Sequence, residues 1–293
     1  MFTDNPVTPV RLEILIGLLR EIARGLPRQE VYRLLQPEPL DPDTGGSSPA
    51  GATVKAAIEL ELAEEDSGGK NLNLKPVYRN DNPIRAAILK AFDERVLATA
   101  EVEKYFALFY AYYLGLGKKA YEFRSFNNEQ WADEFNQQVF GSAPQENRFN
   151  GTKLTGLHRW FSYVGLGWFD STNSAGKGEF QANPYERLQR ALPVIFGKKP
   201  RLEIEPFIAK LAETCPELDG GSLFIQANPG WGAEDRRCTL GLSHALVELH
   251  LDRVIRLSCP ADSGGWDIRD AEPPGDDDFG SFKIAAIELL KND

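Results

Sequence analysis

The chain has 293 residues, 42% hydrophobic and 11% aromatic, which suffices for packed cores and excludes wholesale disorder. Its net charge of −10 excludes a protein that coats nucleic acid with its whole surface. No apolar run reaches the roughly 18 residues of a membrane span, the N-terminus lacks a secretory pattern, and three cysteines (Cys215, Cys238, Cys259) point to a reducing, cytoplasmic compartment.

Val10 to Arg24 repeats Leu12, Leu15, Ile16, Leu19 and Ala23 at three- and four-residue steps, which predicts an amphipathic helix ended by Gly25. A short helix after Pro27 turns Val31, Leu34 and Leu35 inward, and the Pro-, Gly- and Asp-rich stretch Gln36 to Pro49 reads as a loop. Thr53 to Leu62 has helical periodicity. Ala63 to Asp66 then reads as extended, Ser67 to Lys70 as a turn and Asn71 to Leu74 as a strand. Three helices and a hairpin are the order of a winged helix, in which the hairpin covers apolar faces that three short helices cannot bury.

The same layout recurs twice without shared sequence. Asn150 to Gly165 is helical, followed by extended Trp168 to Ser171, a Thr172 to Gly178 loop and extended Glu179 to Ala182. Leu240 to His250 is helical, with Val254 to Ser258 and Trp266 to Arg269 as a third hairpin about a Pro260 to Gly265 turn. Helices are predicted between these units over Pro83 to Val96, Thr99 to Gly115, Asn128 to Phe140, Tyr185 to Phe196 and Glu205 to Thr214. The second of these carries an aromatic stripe read as core, and Asn127 or Asn128 is the expected cap of the third. Ser281 to Lys291 is predicted as a closing helix, docked through Ile284, Ile287 and Leu290.

The expected fold is therefore mainly α with small β-hairpins (α+β), with tandem winged-helix units joined by helical segments. The expected boundaries are 7–79 for winged-helix unit 1, 80–144 for a helical linker domain, 145–200 for winged-helix unit 2 and 201–293 for an acidic winged-helix-like unit. Residues 145–199 carry eight basic and four acidic side chains, whereas 202–293 carry eight basic and eighteen acidic ones. The middle unit is thus the nucleic-acid candidate and the last the partner-facing one.

No phosphate-cradling GxxxxGK[ST], no GxSxG nucleophile turn and no HExxH zinc helix occurs. Cys215, Cys238, His244, His250 and Cys259 lack a zinc spacing, and Asp262, Asp267 and Asp270 fall on a predicted wing turn and strand. Neither catalysis, a cofactor nor a metal is expected. Binding has better candidates, because a helix laid in the major groove needs polar and basic side chains facing phosphates. In the middle unit these are Arg148, Asn150, Thr152, Lys153, His158 and Arg159, then Lys177 at the loop tip, with Lys198 and Lys199 nearby. Unit 1 offers Thr53, Lys55 and Lys70, offset by acidic neighbours.

The segment CTLGLSHALVELHLDRVIRLSCPADSGGWDIRD (238–270), with the opening Asn5-Pro6 piece before a helix pair, resembles accessory proteins of prokaryotic phage-defence islands. The family it resembles is the DpdG component of the Dpd islands, which accompany 7-deazaguanine insertion into DNA. The resemblance implies an antiviral defence role beside helicase or nuclease subunits and transfers no catalytic residue. The expected function is a non-catalytic accessory subunit that binds double-stranded DNA through helix-turn-helix chemistry and has no membrane partner. The alternatives are an interaction scaffold using winged helices as homodimer or docking modules, or a transcriptional repressor.

Overall fold

The computed structural model describes residues 2, 7–22, 24–36, 48–80, 83–99, 102–122, 126–141, 148–170, 179–232, 236–259, 264–268 and 282–290. Their contacts divide into two units, Met1–Phe106 with Phe149–Trp160, and Ala107–Arg148 with Phe161–Asp293. Both are mainly α with small antiparallel sheets.

In the first unit Thr8 caps α1 (Pro9–Glu21): its hydroxyl accepts from Arg11 N, and Pro9 occupies a first-turn position where no N–H is missed. Leu12, Leu15, Ile16 and Leu19 form the buried stripe of α1. Gly25, at φ 73°, then turns the chain into β1 (Leu26–Pro27); a Cβ there would lie 2.2 Å from the Asn73 side-chain oxygen. Helices α2 (Arg28–Leu35) and α3 (Pro49–Glu59) follow, then a hairpin of β2 (Ala63–Glu65) and β3 (Asn71–Leu74). The sheet order is β1-β3-β2, with Leu26 opposite Leu72 and Ala63 opposite Leu74. The Asp66 carboxylate closes the turn by accepting from the backbone of Lys70 and Asn71, and these bonds hold its pKa below the usual carboxylate value.

The rest of this unit is α4 (Ile84–Phe92), a π-helical turn over Asp93–Leu97, and the first residues of α5 (Lys104–Leu116) and most of α8 (Gly151–Tyr163). Their core is aromatic. Phe92 meets Phe2 at 4.8 Å, Phe106 at 4.8 Å and Trp160 at 5.5 Å between ring centroids, and the Trp160 indole N–H donates to Val7 O.

The second unit opens with the remainder of α5, then α6 (Lys119–Glu122) and α7 (Asn128–Phe140). Asn127 and Gln130 form a reciprocal capping box at the start of α7. Phe109, Tyr110 and Tyr112 of α5 are buried, with Phe109 packing on Phe135 and Phe161, so the aromatic stripe is core. The end of α8 leads into the hairpin β4 (Gly167–Asp170) and β5 (Glu179–Ala182). There follow α9 (Tyr185–Phe196), β6 (Arg201–Glu203), α10 (Ile204–Thr214), α11 (Ser222–Ala227) and α12 (Leu240–Leu251). Four short strands complete the unit: β7 (Ile255–Ser258), β8 (Trp266–Ile268), β9 (Phe282–Ile284) and β10 (Ala286–Leu289). Its three-stranded sheet has the order β6-β10-β7. Helix, strand, helices and hairpin, with the last strand inserted between the other two, thus occurs both from α1 to β3 and from α9 to β10.

Two expectations about the C-terminal third are corrected. The segment predicted as a closing helix is extended: β10 pairs with both β6 and β7, so Ile287 lies opposite Leu202 on one side and Leu257 on the other. Ile284 and Ile287 fit a helical step, but the open edges of β6 and β7 require a strand between them, and that tertiary demand overrides the local period. Nor do β7 and β8 pair with each other. They lie in series, β7 against β10 and β8 against β9, which makes one interrupted ribbon. Residues 37–47 of the expected Gln36 to Pro49 loop, the Thr172 to Gly178 loop with Lys177, residues 260–263 of the Pro260 to Gly265 turn, and Asp262 and Asp270 lie outside the described residues. No described helix is long and apolar enough to cross a membrane.

Candidate nucleic-acid interface

Helix α8 begins where Asn150 Oδ1 accepts from Lys153 N at 3.0 Å, satisfying one of the orphan amides of its first turn. Leu154, Leu157 and Trp160 face inward and are fully buried. Thr152 and Arg159 are exposed. Seven residues turn a helix through about 700°, which places them on one side, two turns apart. Thr155 lies between them, half-buried, its hydroxyl donating to Gly151 O. A hydroxyl, a guanidinium and the positive end of a helix dipole suit backbone contact with a polyanion.

Burial removes three of the expected contacts. Lys153 is only 6% exposed, its ammonium 5.0 Å from the centre of the Tyr105 ring, so it is a core cation–π partner and cannot reach a phosphate. Thr53 is fully buried, and its hydroxyl donates to Pro49 O one turn back. His158 is half-buried and desolvation pushes its pKa down to about 4, so at neutral pH it offers no positive charge. The basic surplus of residues 145–199 is also partly internal. Arg187 is buried against Glu217, and Arg190 donates to Val164 O.

The remaining candidates among the described residues are exposed, but two are already paired. Arg148 meets Asp133 at 3.0 Å and Lys55 meets Glu59 at 3.7 Å. The outward side of α3 is small and neutral: Gly51, Ala52 and the Lys55–Glu59 pair. Lys70 sits in the β2–β3 turn, its backbone N–H on Asp66. Lys198 and Lys199 project from the turn after α9 and have no ion pair among the described residues. Exposed Trp168 on β4 was not singled out from sequence. Its signal was the two-residue alternation of a hairpin whose neighbouring Phe169 packs on Phe180.

The family model described as DpdG-like matches residues 3–263. No curated protein and no solved structure matches the chain.

Proposed function

The chain belongs to the DpdG-like family, and on that premise we propose that it is a non-catalytic, DNA-binding accessory subunit of a prokaryotic phage-defence complex. Membership associates it with a DNA-modification and phage-defence system. We read α1 to β3 and α9 to β10 as winged helices, on the strength of their shared element order and strand order. Duplex contact is assigned to α8, with helicase or nuclease subunits as the partners of the acidic C-terminal part. The observation that carries this reading is the exposed Thr152–Arg159 side of α8 above an Asn150-capped N-terminus.

The test is duplex binding by the full chain across a salt series. Affinity should fall steeply with salt and weaken when Arg159 is changed to Glu. Salt-independent binding, or no binding at low salt, overturns it.

A second reading, an interaction scaffold built from winged helices as docking or homodimer modules, is favoured by the neutral outer side of α3 and by apolar residues left outside. Val194 on α9 is 69% exposed and Leu251 at the end of α12 is 70% exposed. Stoichiometric co-purification of a partner with no retention on immobilised DNA would select this reading.

A further inference from the structure

The second unit contains a cleft of about 530 Å³, within the size range of small-molecule sites. It lies between the end of α5, the start of α6, the segment after α11 and the entry to α12. Lys118, Lys119 and Arg237 line it, all exposed; among the described residues no Asp or Glu lines it and none of the three has an ion pair. Three cations line one cleft, in a chain that from residue 202 onward carries eighteen acidic side chains to eight basic ones. Folding does not require such a grouping, whereas an anion would relieve it.

The same cleft has an aromatic wall. Trp231 is half-buried, its indole held edge-to-face by Phe224 at 5.4 Å and backed by Trp266 at 6.5 Å. Beside it, Asn228 donates through Nδ2 to Ala111 O and to Phe224 O, tying the segment after α11 to α5. This fit needs Gly115, where a Cβ would fall 2.0 Å from the Asn228 side chain. The wall is therefore formed before any ligand arrives. Cys238, also in the lining, is fully buried and burial pushes its thiol up, so it is an inert wall atom and no nucleophile.

We propose that this cleft binds a nucleoside phosphate, with the phosphate among Lys118, Lys119 and Arg237 and the base stacked on Trp231. Cations alone would serve any anion, and an indole alone any flat apolar group. Their convergence selects a ligand that joins an anion to an aromatic ring, and stacking tolerates every base. That ligand could be a free mononucleotide or one unpaired nucleotide of a single strand. The proposal does not rest on duplex contact by α8.

The test is calorimetric titration of the full chain with dAMP, adenosine, inorganic phosphate and a short oligo(dA). dAMP should bind, with adenosine and phosphate each about tenfold or more weaker, because each carries only one of the two recognised groups. Trp231→Leu should weaken dAMP by about tenfold and leave phosphate unchanged. Should that variant unfold, Arg237→Glu, at an exposed position, should weaken dAMP and phosphate alike. Tighter binding of oligo(dA) supports a strand as the occupant, and equal binding supports the free nucleotide. Absence of dAMP and oligo(dA) binding at millimolar concentration, phosphate binding as tightly as dAMP, or indifference to Arg237→Glu overturns the proposal.

Discussion

Arg187 Nε donates to Glu217 Oε1 at 2.8 Å with 4% and 0% of the two side chains exposed, and Arg187 Nη2 donates further to Thr214 O. The pair fastens α9 to the segment after α10 inside the second unit. Removing either partner leaves a buried charge without compensation, which costs about 3–5 kcal/mol. Glu217→Gln and Arg187→Met should each destabilise by that amount in chemical denaturation. The double variant Arg187→Met with Glu217→Leu should recover most of the loss, since neither charge remains. A double variant as unstable as the sum of Arg187→Met and Glu217→Leu measured singly would show that the two groups are uncoupled.

Asp219, fully buried, accepts from Thr239 N at 2.6 Å and from the Thr239 hydroxyl at 2.7 Å, and Thr239 in turn caps α12. Burial pushes the Asp219 carboxyl up to about 6, against the pull of these hydrogen bonds. A raised carboxylate holds its proton in the folded chain when the unfolded chain has already released it. Its favourable contribution is therefore present below about pH 4 and is lost as pH rises to about 6, up to about 3 kcal/mol at 1.36 kcal/mol per unit. Asp219→Asn removes the titration. The stability of the native chain relative to this variant should grow as pH falls from 7 to 4, and a difference that is flat or shrinks in that window contradicts the assignment.

Two basic residues six positions apart on α8 should behave in opposite ways. Arg159→Glu, at an exposed position, should change stability by no more than about 0.5 kcal/mol and lower both duplex affinity and the salt dependence, by roughly 0.9 in logarithmic slope for each phosphate no longer neutralised. Lys153→Glu puts an opposite charge into the core beside Tyr105 and should cost several kcal/mol in thermal unfolding. The Lys153 variant thus tests the core and the Arg159 variant the duplex interface. An Lys153→Glu chain as stable as the native one would return that lysine to the surface.

Local chemistry was legible from sequence wherever it was self-sufficient. The hairpin after Leu62 and the helices Asn128–Phe140 and Tyr185–Phe196 stand where caps, turns and periodicity put them. Charge counting was a poorer guide to the site, because it cannot tell a buried cation from an exposed one: Lys153, Arg187 and Arg190 are all engaged with the interior. The cleft was illegible for another reason. Lys118, Lys119, Trp231 and Arg237 come from segments more than a hundred residues apart, and no local pattern announces that the α5–α6 junction meets the segment between α11 and α12. Strand partners were hidden in the same way, since β1 and β6 have only two and three residues and are defined by what they pair with.

The last strand gives the sharpest test of that tertiary effect. Ile287 is fully buried and faces Leu202 and Leu257 across two antiparallel ladders. Proline at a central strand position removes a ladder hydrogen bond, and here it also replaces a buried isoleucine, so Ile287→Pro should cost more than about 3 kcal/mol. The loss should be cooperative: amides of β6 and β7 should lose hydrogen-exchange protection together, although neither strand is mutated. Removing residues 282–293 should have the same effect. A docked terminal helix would behave differently, fraying alone and leaving β6 and β7 protected, and that outcome would contradict the β6-β10-β7 sheet.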